Sequence, residues 1–298
     1  PRFIPNLGNT CYFDTILQII YNDEDFVKYL YDLLGIYKKK KGSRNVNIYY
    51  LLSNIMKLFN SLYRKSNLET IKENLKSIID YLLILKIIPN NRQQCVNEVF
   101  NKLLKIINPP FYKFKLIELS YCDKKFTHGN YTLFPLVGTK SIDWYSLQLE
   151  KTDKTNLINV IKDIFFLSID PALKYDKCII KGVKYSVYTS KLIKNPPKTL
   201  FIARGEPNFK LKIEILLGFN LKIIFDYLNI NYTLYAIVAR RGMFITGGHY
   251  WCYIKKGEVW FKCDDLDNTT PKQINFLNIK KELKPEDTNW TALIYKQY

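Results

Sequence analysis

The sequence predicts an α+β protein, a helical lobe followed by a sheet lobe, on three observations. Apolar residues in the first hundred positions recur at helical spacing, and the last such stretch is closed by Pro109-Pro110. From Phe111 onward the chain changes to short Tyr-, Phe- and Ile-rich runs broken by Gly, Asn, Asp and Pro, the pattern of strands and turns. No internal repeat or low-complexity linker divides the chain, so 1–110 and 111–298 read as lobes of one domain with a cleft between them.

Taken in order, a turn at Asn6 to Thr10 leads into a helix from Cys11 to Tyr21, with Thr10 as its N-cap. Further helices are expected over about 47–63, 68–84 and 94–107. The lysine run Lys38 to Lys41, between the first two helices, reads as a solvated loop. In the second lobe one helix near 157–166 interrupts strands expected at 199–203, 211–217, 232–238, 249–255, 259–263 and 291–295.

Composition bounds the function. A hydrophobic fraction of 47%, with 23 Tyr and 18 Phe against 12 Gly and 12 Pro, describes a folded globular chain. No apolar run approaches the length of a membrane span; even YLLILKIIP is interrupted by Lys86. Pro1 in place of Met suggests a processed chain, so a targeting segment could lie upstream. The six cysteines are scattered, without a CxxC pair, and a chain of this size does not need staples, so they read as thiols of a reducing compartment such as the cytoplasm. The formal charge of +18 would attract an acidic partner. Lys, Ile, Asn and Tyr are abundant together, however, as an AT-rich genome imposes, and no nucleic-acid-binding motif is present. Nucleic acid is therefore not the expected partner, and a steep salt dependence would be its signature.

Two residue types carry chemistry. Cys11 heads an apolar helix, where unpaired N–H groups and the positive end of the macrodipole favour a thiolate. Alone, a cysteine so placed is more often a small core residue, by about three to one. Of the two histidines, His128 lies in a polar loop, while His249 follows Gly247-Gly248 and opens HYWCYIKKGEVWFKCDD. That run reads as a hairpin turning at Lys255 to Glu258, and its far strand would bring Asp264 or Asp265 back beside the imidazole. A Cys–His pair with an orienting carboxylate is the equipment of a thiol hydrolase.

The conjunction has a family counterpart. Residues 6–18, NLGNTCYFDTILQ, resemble the Cys box of the ubiquitin-specific proteases, NLGNTCYMNSxLQ, and residues 248–265 resemble their His box, GHYxxY followed by W and DD. Between them, Arg92-Gln93-Gln94-Cys95-Val96-Asn97-Glu98 resembles the QQDxxEF helix, Pro196-Pro197-Lys198-Thr199-Leu200 the LPxxL segment, and Ala292-Leu293-Ile294-Tyr295 the closing AYxLFY strand. The resemblance implies a papain-like fold with a helical thumb, a β-sheet palm and short strand fingers that grip ubiquitin. It implies Cys11 as nucleophile, His249 as general base and later acid, and Asp264, four residues after Trp260, as the orienting group. Asp265 would support the same site, and Asn6 would donate its amide to the oxyanion beside the Cys11 N–H. Tyr12 and Tyr250 would roof a channel thin enough for a diglycine tail, and Gly247 and Gly248 would let the loop before His249 move over it or simply turn the chain.

The sequence departs from the pattern in places. Cys95 stands where the family carries an Asp that reads the arginines of the ubiquitin tail, leaving Glu98 alone. Cys122 and Cys178 sit where two CxxC knuckles often hold zinc, yet each has a lysine, Lys125 and Lys181, in place of its partner cysteine. Two thiols cannot complete a tetrahedral site, so no metal and no other cofactor is expected. Asp14, where Asn is usual, has no reading from sequence. The expected activity is deubiquitination. Its alternatives are the same chemistry on another diglycine-ended modifier or a polyprotein, and a catalytically weak ubiquitin-binding module. A viral source would place the protein in the host-cell cytoplasm or nucleus.

Overall fold

The computed structural model describes residues 4–298 except 125, 129–130, 134–135, 150–153, 166–167, 170–177, 186, 205–211, 243–246 and 267–269. Five helices come first: α1 (Cys11–Tyr21), α2 (Glu24–Lys38), α3 (Ser43–Arg64), α4 (Leu68–Ile84) and α5 (Val96–Ile107). Helix α2 was not expected from the sequence. Its start is set by Asp23, whose carboxylate accepts from the Phe26 N–H at 3.3 Å, and it buries Phe26, Leu30 and Leu33 on one stripe. The lysine run thus begins inside the last turn of α2, where cations suit the helix dipole, before it continues as an exposed loop.

The strands follow as β1 (Phe114–Cys122), β2 (Phe126–His128), β3 (Tyr131–Leu133), β4 (Leu136–Trp144) and β5 (Leu147–Leu149), then helix α6 (Leu157–Phe165). Next come β6 (Ser168–Ile169), β7 (Ile179–Ile180), β8 (Val183–Lys184), β9 (Val187–Asn195), β10 (Thr199–Arg204) and β11 (Gly218–Asn220). The chain closes with β12 (Asn231–Arg241), β13 (His249–Lys256), β14 (Val259–Cys263), β15 (Lys272–Ile274), α7 (Phe276–Glu282) and β16 (Thr288–Gln297). His128 ends β2, and its side chain lies outside the described residues.

Two large sheets and two separate hairpins divide these strands. The fingers are a sheet ordered β4-β1-β9-β6, with three antiparallel strands of nine residues and the short hairpins β2–β3 and β7–β8. The palm runs β15-β14-β13-β12-β16-β10-β5, with β11 on β12. Period-two alternation divides the palm between two cores. Tyr250, Cys252 and Ile254 of β13 join the helical thumb, while Trp251 and Tyr253 face α6 and the base of the fingers.

The strand expected at 211–217 does not form over the described residues 212–217. Its alternation is real, with Ile213 and Ile215 buried and Glu214 exposed, but its backbone is used elsewhere. The Ile213 carbonyl accepts from Trp290 Nε1 at 2.9 Å, the Leu216 carbonyl from the Tyr295 hydroxyl at 2.9 Å, and Glu214 N–H donates to the Thr155 carbonyl at 2.8 Å. Side chains and a loop replace the ladder partners that a strand requires.

Candidate active site

Cys11 is the first residue of α1, where the opening N–H groups have no partner inside the helix. Thr10 is the N-cap residue, as expected, but its side chain makes no capping bond. Its hydroxyl donates to Asp14 Oδ2 at 2.7 Å and accepts from the Leu7 N–H at 3.0 Å. The turn before it is fixed by Asn6, whose Oδ1 accepts from the Gly8 N–H at 2.6 Å and faces Thr10. With that oxygen engaged, the amide NH₂ of Asn6 is the end left to face the site.

His249 opens β13, opposite Arg241 of β12. The hairpin turns at Gly257-Glu258, Gly257 taking φ +56°, and pairs Cys252 with Cys263. One residue further along this register Asp264 falls on the side of Trp251 and His249, and Asp265 on the side of Tyr250 and α1. The geometry follows suit: His249 Nε2 lies 2.7 Å from Asp264 Oδ1 and 3.5 Å from Asp265 Oδ1. The Cys11 thiol lies within hydrogen-bonding reach of the same ring, which Trp251 backs with its indole nearly parallel at 5.8 Å.

The surrounding groups favour a protonated His249 ring. Burial works against the His249 cation, but the bonds to Asp264 and Cys11 and the charges of Asp264 and Asp265 outweigh it, and the ring is raised to about 9. Asp264 moves the other way. Burial resists its ionisation, yet His249, the Leu266 N–H and Lys262 together hold it below the usual carboxylate range. Asp265 is raised to about 6, by burial first and by the Asp264 charge, against the pull of His249. His249, Asp264 and Asp265 each offer a ligand atom within 4.8 Å of one another, but Nε2 and Oδ1 already satisfy each other.

A family model described as ubiquitin carboxyl-terminal hydrolase matches residues 4–295. The chain belongs to that family. It is thereby a cysteine-type deubiquitinase in class. No curated protein matches it as a relative in sequence. Among solved structures, the SAGA Ubp8/Sgf11/Sus1/Sgf73 DUB module bound to ubiquitin aldehyde superposes with a TM-score of 0.73 at 17% identity, over 100% of this chain and 70% of that one. The Ubp8-Sgf11-Sgf73-Sus1 SAGA DUB module gives 0.70 at 16% identity, over 100% and 68%. These likenesses show the fold.

Other expected site residues fall in different places. Tyr12 and Tyr250 do not roof an open channel; each is 1% exposed and packed in the helix-side core. The reason is geometric: Tyr250 is one strand step from His249 and so faces the opposite side of the sheet, and Tyr12 lies in the first turn of α1, which is buried along its length, Cys11 included. Gln93, Gln94, Cys95, Asn97 and Glu98 instead line a cavity of about 630 Å³, shared with Arg204 and two lysines of α5. Buried Asn97 ties this helix to the palm, donating to the carbonyls of Arg204 at 2.9 Å and Thr291 at 3.0 Å. Gln93 Nε2 donates to the Gly248 carbonyl at 2.8 Å, so the cavity wall touches the residue before the base.

Gly248 is required by close approach. It takes φ +147°, and a Cβ there would stand 2.5 Å from the Arg241 carbonyl oxygen. Fully buried Arg240, a residue the sequence reading passed over, donates to the carbonyls of Gly242 and Gly247 and lies 5.4 Å from the Tyr250 ring. Trp251 was also passed over, and Asp14 was noted without a reading. The i, i+2 spacing of Trp251 from His249 in a strand is the signal that places it against the ring.

At the fingertips Cys122 and Cys178 form a disulfide, against the expectation of free thiols. The β1–β9 pairing carries Cys122 to Val187, which shares a small buried cluster with both cysteines. Bonded to each other, the two sulfurs offer no thiolate, and the residues present do not fit a zinc site.

Proposed function

We propose that this chain hydrolyses the bond after the carboxy-terminal glycine of ubiquitin through a Cys11–His249–Asp264 triad and a thioester intermediate. The observation that carries the reading is one imidazole whose Nε2 is bonded to Asp264, with the Cys11 thiol, at a helix start, within hydrogen-bonding reach of the same ring. Asp264 accepts the Nε2 proton and orients the ring, and Nδ1 holds the proton given up by the Cys11 thiol, so that a thiolate stands beside an imidazolium. The Cys11 sulfur attacks the glycine carbonyl, and the oxyanion is met by the Cys11 N–H and the Asn6 amide. Collapse expels the amine, which leaves with the proton from His249. A water, deprotonated by the same ring, then cleaves the thioester and returns the thiol. The Gln93–Glu98 cavity leads to Gly248 and is the path for the tail.

A second reading keeps the chemistry and changes the modifier. Cys95 offers no carboxylate, and Lys102, Lys105 and Arg204 border the same cavity as Glu98, a setting less suited to an arginine-bearing tail. The deciding experiment exposes the protein and its Cys11→Ala variant to ubiquitin with a thiol-reactive carboxy-terminal warhead and to matched probes from other diglycine modifiers. A Cys11-dependent ubiquitin adduct by intact mass supports the first reading; an adduct only with another probe moves the substrate, and labelling that survives Cys11→Ala removes both.

A further inference from the structure

Behind the triad, Asp14 of α1 and Asp265 face each other. Both are buried, at 3% and 8% exposure, both line one small void of about 10 Å³, and they lie within hydrogen-bonding reach of each other. Among the described residues, three of their four carboxyl oxygens, Asp14 Oδ1 and both oxygens of Asp265, have no hydrogen-bond partner. The Asn6 amide acts on Asp265 as a nearby dipole that favours the anion, without a hydrogen bond to it. The void is at the lower size limit for one water, whose two hydrogens could not serve three oxygens.

Two touching carboxyls cannot both ionise in such a place, and sharing one proton completes both. The groups around them decide where it sits. Asp265 has the His249 ring 3.5 Å away and the Asn6 dipole beside it, both of which favour a negative charge. The charged groups facing Asp14 are Asp265 and Cys11, both of which disfavour one, and burial adds to them; its carboxyl is raised well above the usual range. Thr10 occupies Asp14 Oδ2 at 2.7 Å, which leaves Oδ1 as the atom that bears the proton toward Asp265.

We propose that Asp14 is a positioning residue, a neutral acid that donates its proton bond to Asp265 and so fixes the anion standing behind His249. The Leu7 N–H, the Thr10 hydroxyl, the Asp14 carboxyl and Asp265 then form one directed chain from the oxyanion turn to the base. Asp14 does the work a side-chain amide donor could do, and it keeps negative charge away from the Cys11 sulfur.

The inference rests on the Cys11–His249 reading, and its first test needs no substrate. The infrared difference between wild type and Asp14→Asn at neutral pH is expected to show the carbonyl stretch of a protonated acid, lost in the variant. Asp14→Leu is expected to lower kcat/KM on a ubiquitin reporter by about tenfold, the scale of a buried hydrogen bond to a charged group, with Asp14→Asn restoring most of it because its NH₂ still donates. Absence of the acid band at pH 7, or equal kcat/KM in the Leu and Asn variants, overturns the proposal. Should Asp14→Leu fail to fold, the spectra of wild type and Asp14→Asn decide alone.

Discussion

Strand β16 of the palm is buried along eight successive residues, whereas β1 of the fingers buries only Phe114, Leu116 and Cys122 of its nine. The palm is covered on both faces, by the thumb on one side and by α6 and its neighbours on the other, and apolar area holds it. Among the described residues the distal fingers have a cluster of only Cys122, Cys178 and Val187, with Ile180 and Tyr185 against it, and a covalent bond supplements that small area. Chemistry that needs atoms fixed to a fraction of an ångström is housed in the first region. The second is suited to contact without catalysis.

This contrast predicts that edits in the palm change kcat and edits in the fingers change KM. The largest effect is expected from Cys11→Ala, which should lower turnover by about 10⁴-fold or more with the thermal midpoint preserved. Residual turnover near the wild-type rate would remove the site itself. Gly248→Ala comes next, since the new methyl group meets the Arg241 carbonyl and displaces the loop that delivers His249. A fall of about a hundredfold in kcat is expected, as misplacing a catalytic group by about 1 Å costs, and a change in KM alone would break the comparison.

The third prediction is a pH profile. His249 is raised to about 9, above its unfolded value, so the imidazolium and its contribution to stability are fully present below about 6.5 and lost as pH rises through about 9. Both kcat/KM and the thermal midpoint should decline together along that alkaline limb, and a limb near the ordinary imidazole range would show that Asp264 does not hold the ring. The smallest effect is expected in the fingers. Replacing Cys122 and Cys178 by serine releases a loop of sequence separation 56, with a local loss of about 2–4 kcal/mol. Proteolysis between 114 and 195 should quicken and KM for ubiquitin conjugates rise a few-fold, while kcat stays within about twofold; an equal fall in kcat would sink the contrast.

The same division governs what was legible in the sequence. Strand β14 was read to its boundaries because Val259–Cys263 is flanked by a glycine turn and a pair of aspartates, and local chemistry sets both ends. The catalytic hairpin was readable for the same reason. Helix α2 was missed because its stripe of Phe26, Leu30 and Leu33 is interleaved with acidic and lysine residues that read as a loop. The 212–217 segment was misjudged because partners distant in sequence, Trp290 and Tyr295, take its carbonyls. Tyr12 and Tyr250 had the right neighbours but the wrong face. Asp14 was opaque because its meaning lies in a second carboxyl placed beside it only by the fold, and the Cys122–Cys178 bond needs the pairing of β1 with β9.

The position of β16 has a consequence for how the molecule is made. This strand lies between β12 and β10 in the sheet, yet it is synthesised after Cys11, His249 and Asp264. A nascent chain therefore contains every group of the proposed triad before residue 288 has left the ribosome, and it still lacks the strand against which β12, and through it β13, is aligned. Contacts of such long sequence separation form late. Interrupted synthesis would thus leave the proposed catalytic groups on one polypeptide without the strand that aligns them.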